Sequence, residues 1–82
     1  MSPEQFTQLA LSFAGTVAAP HFDRTAFKVQ KRRIFATLHA ESNTANMKLS
    51  PADQSVFAMI DTTAIYPVNN KWGAQGWTTF NL

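Results

Sequence analysis

Two Ser-Pro pairs, Ser2-Pro3 and Ser50-Pro51, constrain the fold of this chain more than any other feature. A serine side chain accepts a hydrogen bond from an orphan amide of the first helical turn. Proline suits the first helical position, where its missing N–H would have found no partner. Each pair therefore starts a helix. After the first, Gln5 stands three residues beyond Ser2, the spacing of a capping box. Phe6, Leu9, Ala10 and Phe13 then recur at i, i+3, i+4 and i+7 as one apolar face, which Gly15 ends. After the second pair, Val56, Phe57 and Ile60 form a shorter apolar stripe.

Between and beyond these helices the period changes from 3.6 to 2. Thr16 to Ala19 is a short strand that Pro20 stops. Thr25 to Gln30 alternates, with Phe27 and Val29 on one face. Arg32 to Ala40 is a longer strand, with Ile34, Ala36 and Leu38 on one face and Arg33, Phe35, Thr37 and His39 on the other. Gln30-Lys31 joins the two runs as a tight basic hairpin. Glu41 to Thr44 is the next turn, and Asn46 to Leu49 completes an antiparallel meander. Past the second helix, Pro67 marks Ile65 to Val68 as a short edge strand. Asn69 to Gly73 is a turn. Gly76 to Leu82 is the last strand, with Thr78, Phe80 and Leu82 opposite Trp77 and Thr79. The order α-β-β-β-β-α-β-β predicts an α+β fold, an antiparallel sheet with its helices on one face. Eighty-two residues make this one domain, spanning 1–82.

Composition removes several kinds of chemistry. The chain has no cysteine, hence no disulfide, cysteine-zinc site or thiol nucleophile. His21 and His39 have only Asp23 or Glu41 to complete a metal site, and no spacing fixes their geometry. Among the serines, Ser50 is a helix cap and no Gly-x-Ser-x-Gly elbow is present. Asp53 and Asp61 are eight residues apart on a helix, roughly 12 Å along its axis, too far for a two-carboxylate mechanism. Gly73-Ala74-Gln75-Gly76 has the letters of a Gly-x-x-Gly clamp, but that loop must join two helices and here it lies among strands. The reading is therefore a non-enzymatic protein with no cofactor and no metal. Leu9 to Ala19 resembles the middle of a signal peptide, but no basic residue precedes it, so the chain is read as cytoplasmic and not a membrane protein.

Charge is what remains. The net charge of +2 hides an uneven distribution: −2 over residues 1–23, +5 over residues 24–48 and −1 over residues 49–82. The block Arg24, Lys28, Lys31, Arg32, Arg33 and Lys48 is either a solvated basic turn or a footprint for a polyanion, which it would bind with counterion release. Aromatic residues interleave with it. Arg33 and Phe35 share the face away from Ile34, Trp72 follows Lys71, and Trp77 opposes Phe80. Cations can hold phosphates while exposed rings stack on bases. Phe35 and Trp77 could equally be covered by packing.

Several segments, in order along the whole chain, resemble the MmcQ/YjbR family. They are Leu9-Ala10-Leu11-Ser12-Phe13 before Gly15, Ala26-Phe27-Lys28-Val29 followed by Arg33-Ile34-Phe35-Ala36, and Lys48-Leu49-Ser50-Pro51. Tyr66-Pro67-Val68 and Gly76-Trp77-Thr78 complete the match. The resemblance implies a CyaY-like fold with a double-wing DNA-binding arrangement, the wings being the Gln30-Lys31-Arg32 hairpin and the Asn69–Gly76 hairpin. Family members usually continue into one or two C-terminal helices, whereas this sequence stops at Asn81-Leu82. The expectation is a truncated domain that leaves Phe80 and Leu82 uncovered and self-associates through its terminal strand. The reading that follows is a DNA-binding domain. Lys28, Lys31, Arg32, Arg33 and Lys48 contact nucleic-acid phosphates, and Lys71, Trp72 and Trp77 form a second contact surface. The alternative is a protein-interaction module using the terminal strand and its apolar patch. A metal-handling role, as in other CyaY-like folds, would need an acidic surface that five acids do not supply.

Overall fold

A computed structural model describes residues 1–30 and 32–82. Helix α1 (Pro3–Leu11) starts with the full capping box: the Gln5 amide donates to Ser2 Oγ at 3.1 Å and the Ser2 amide to Gln5 Oε1 at 2.9 Å. Strands β1 (Thr16–His21), β2 (Arg24–Val29), β3 (Ile34–His39) and β4 (Thr44–Lys48) follow, then α2 (Pro51–Ile60), capped by Ser50 Oγ on the Asp53 amide at 3.1 Å. The chain closes with β5 (Ile65–Pro67), the single turn α3 (Lys71–Ala74) and β6 (Trp77–Asn81). This is the predicted α+β order with one addition. Asn70 Oδ1 accepts from the Trp72 amide at 2.8 Å and winds part of the predicted turn into α3. The Asn69–Gly76 segment is therefore folded back and not a bare hairpin tip.

The strands form one antiparallel sheet in the order β1-β2-β3-β4-β6-β5. Strand β6 lies between β4 and β5, so both of its edges are already paired. This corrects the expectation of partner addition or self-association along the terminal strand, because it has no free amides or carbonyls to offer a ladder. The sheet edges are β1 and β5. Pro20 does not stop β1, which runs on to His21; an edge strand has one side with no ladder to break.

The β2–β3 pairing slips between Phe27 and Lys28: Phe27 faces Ala36, but Lys28 faces Ile34. The extra residue in β3 is Phe35, a bulge that uninterrupted alternation does not foresee. Ile34 consequently turns to the face of Lys28, while Phe35 packs against the core with Ala36 and Leu38. Arg33 and Phe35 still border one recess, as predicted, but on the side of Leu38 and not the side away from it.

The core lies between α1 and the sheet. Phe27 is fully buried and meets Phe6 edge-on at 5.8 Å; Ala10, Ala36, Leu38 and Ala45 surround them. Burying one such ring contributes about 1.5–3 kcal/mol. Helix α2 is tied down differently. Gln54 Nε2 donates to Gly73 O at 2.9 Å, Trp77 O at 3.2 Å and Thr78 Oγ1 at 3.2 Å, while the Phe57 ring meets Phe80 edge-on at 6.5 Å. No residue of α2 is fully buried, and Val56, Met59 and Ile60 are 60%, 83% and 67% exposed. The exposed apolar patch expected at Phe80 and Leu82 lies on α2 instead; Phe80 and Leu82 are half-buried, and Leu82 packs on the core.

Candidate nucleic-acid interface

Phe6 of α1 packs on Phe27 and Phe57 of α2 on Phe80, and register puts both contacts on one side of the sheet. Phe27 pairs with Ala36, Ala36 with Met47, and Ala45 with Phe80. The opposite face carries neither of these helices. Across its middle, the pairings align Ala26, Thr37, Asn46, Thr79 and Tyr66, one residue from each of five strands. Toward one end the bulge and the β4–β6 register place Lys28 beside Ile34 and Lys48 beside Trp77. Toward the other end lie the pairs His21–Arg24 and His39–Thr44.

This face is hollowed into an open groove of about 330 Å³, lined by His21, Arg24, Ile34, Thr37, Asn46, Val68, Trp72 and Trp77. Trp72 reaches it from α3, whose position depends on two glycines. A Cβ on Gly73 would sit 2.0 Å from Val68 O, and one on Gly76, at φ +107°, 1.9 Å from Leu49 O. These contacts account for the Gly73-x-x-Gly76 letters as close packing. On the groove floor Arg24 Nη1 donates to Thr37 Oγ1 at 3.5 Å and Thr79 Oγ1 donates to Asn46 Oδ1 at 2.7 Å.

The sequence-predicted residues divide into two groups. Lys28, Lys48, Lys71, Trp72 and Trp77 gather on or beside the open face; the Lys71 ammonium lies 5.8 Å from the centre of the Trp72 ring. Arg32 and Arg33 are exposed but border a second recess, with Phe13, Phe35 and Met47, on the helix side of the sheet. Lys31 lies outside the described residues. Arg24 was not among the predicted contacts, yet it lines the groove; only the β1–β2 and β2–β3 registers reveal that.

Among the described residues no lysine or arginine is within 4 Å of a carboxylate; the basic side chain that does meet one is the His39 ring, 3.0 Å from Asp23. The acids Asp23, Glu41 and Asp61 lie in turns at the end of the sheet opposite Lys28 and Lys48; Asp53, in the first turn of α2, is at the basic end. No group of three or more His, Asp or Glu that could hold a metal occurs among the described residues.

The acidic end is knitted by hydrogen bonds. The Ser42 amide donates to His39 Nδ1 at 3.3 Å, which makes Nδ1 the acceptor and Nε2–H the donor to Asp23 Oδ2 at 3.0 Å. Ser42 Oγ is 2.7 Å from Nδ1 and 2.7 Å from Thr44 Oγ1. This chain joins the β1–β2 turn to the β3–β4 turn at the rim, outside the groove lining, with the Asp23 side chain 73% exposed. His21, which follows the proline predicted to stop the first strand, instead ends β1 and lines the groove. The Thr63 hydroxyl and amide donate to Asp61 Oδ1 at 2.7 and 3.0 Å and hold its carboxyl below the ordinary carboxylate range. No helix among the described residues is long and apolar enough to cross a membrane. Compared with family models, curated proteins and solved structures, the chain has no match, so the reading of this face rests on its own residues.

Proposed function

We propose that the chain is a small, cytoplasmic, non-enzymatic DNA-binding domain, in keeping with its resemblance to the MmcQ/YjbR family. The supporting observation is the register that sets Lys28 and Lys48 beside a groove holding Trp72 and Trp77, with no carboxylate against any described cation. Cations on an uncovered face can exchange counterions for phosphates, and this term supplies most of non-specific affinity. Sequence preference is weak, because neither long helix lies on this face to enter a major groove. With about four phosphate contacts, log K falls with log salt at a slope of roughly −3.6. A titration of duplex DNA across salt concentrations tests this. Lys28→Gln with Lys48→Gln should flatten the slope by roughly 0.9 per charge removed. No binding at low salt overturns the reading.

A second reading is favoured by Val56, Met59 and Ile60, which give α2 an apolar outer surface. Contiguous apolar surface of this kind marks protein contacts. It predicts association that salt does not weaken and that Met59→Ser with Ile60→Ser abolishes in sizing experiments.

A further inference from the structure

We infer that the occupant of the open-face groove is a single-stranded polynucleotide, with unpaired bases stacked on Trp72 and Trp77 and its backbone held by Arg24, Lys28 and Lys48. This inference rests on the DNA-binding reading and narrows it. The shape of the face argues for it first. The groove of about 330 Å³ is at the small end of the ligand-pocket range, about 300–1,000 Å³, and suits flat rings. A duplex hides its base faces and is read by a helix or ribbon that enters a groove. Here the face is concave and the helix beside it, α3, is a single turn.

The chemistry of the lining argues for it next. Both tryptophans of the chain line the groove, and Trp72 is 49% exposed, so its ring has area to offer. Every base has a π-face, and stacking on an aromatic side chain strengthens binding by roughly 5- to 150-fold per base. Thr37 and Asn46 on the floor supply polar edges. Charge complementarity completes the case. Lys28 on β2 and Lys48 on β4 are two strand spacings apart, about 10 Å, on either side of β3, and Arg24 stands on the same face nearer the acidic end. Positive charge is thus laid along the face at spacings a flexible single-stranded backbone can follow, whereas the acids of the far end limit how far a stiff duplex could extend.

The two tryptophans make the test direct. Intrinsic fluorescence is followed while a short oligothymidylate, and separately a duplex of similar length, is added at low salt. The expected result is quenching by the single strand and at least about tenfold tighter binding than to the duplex, with Trp72→Ala lowering single-strand affinity roughly 5- to 150-fold. Trp77 is half-buried, so Trp77→Phe, which keeps an aromatic face, should retain most of the affinity; circular dichroism checks that both variants are folded. Equal or tighter duplex binding without quenching overturns the single-strand inference and leaves the DNA-binding reading standing. An unchanged affinity in folded Trp72→Ala also overturns the inference. Failure to bind either form overturns both.

Discussion

The two faces of the sheet are made from alternate residues of the same strands, yet they have little in common. The helix face is built from small and aromatic apolar groups: Phe27, Ala36, Leu38 and Ala45 under Phe6 and Ala10 of α1. Its alanines let the helix lie close, and its one fully buried ring fills the space they leave. The other face offers Arg24, Lys28, Asn46, Lys48 and Trp77 to solvent, over a buried Thr37. Water-excluding contacts are concentrated on one side and hydrated polar and charged groups on the other. In an 82-residue chain with a thin stability margin, this division lets the open face vary without unfolding the domain.

The comparison breaks most sharply at neighbouring positions of β2. Phe27→Ala empties a fully buried site and should cost about 3–5 kcal/mol, most of the margin of a small domain. Lys28→Ala, one residue on, should stay within about 0.5 kcal/mol of the parent while weakening DNA binding. Urea unfolding of the two variants reads the first quantity and a low-salt titration the second. If Lys28→Ala destabilises as much as Phe27→Ala, the two faces do not have separate roles.

A smaller effect is expected where the two faces meet, in the β1–β2 turn. Phe22 is 95% exposed, stands in the left-handed region at φ +59°, and touches the His21 ring edge-on at 5.0 Å. An L-residue there pays about 1–2 kcal/mol that glycine does not. Glycine gives back about 0.4–1 kcal/mol through the looser unfolded chain. Phe22→Gly should therefore stabilise by about 0.5–1 kcal/mol, a rise of a few degrees in melting temperature. A fall in melting temperature would show that the exposed ring holds the turn.

How far these faces could be foreseen differs between local and non-local signals. The caps at Ser2 and Ser50, the alternation of Thr25 to Val29 and the edge position of Pro67 rest on neighbours within a few residues, and each was legible. The Phe35 bulge was not, since alternation assumes one residue opposite one, and the extra residue reassigns Ile34 and Phe35 to opposite faces. The interior place of β6 was hidden too. It pairs with β4 across α2, and no turn signal records a contact between strands separated by a helix. The same gap explains the site. A basic block could be counted along the chain, but register alone decides that Lys28, Lys48 and Arg24 share a face with the tryptophans while Arg32 and Arg33 turn to the helix side.

The smallest expected effect lies at Asp61, which belongs to neither face and so sets a baseline for the comparison. It follows α2 and accepts from both the hydroxyl and the amide of Thr63, with its carboxyl held below the ordinary value of 3.8. A carboxyl depressed in the folded state favours folding when ionised. Its contribution is complete above the ordinary value and disappears as pH falls through the lowered folded one. The parent should thus be slightly more stable than Asp61→Asn at about pH 7, and the gap should shrink at an acid pH below the ordinary carboxylate value. Thermal melts at the two pH values read the difference. The side chain is fully exposed and screened by solvent, so the gap at neutral pH should be smaller than the effect of any helix-face substitution and should leave DNA affinity unchanged. A larger loss of affinity than that of Lys28→Ala would mean that the acidic end takes part in binding, and that function is not confined to the open face.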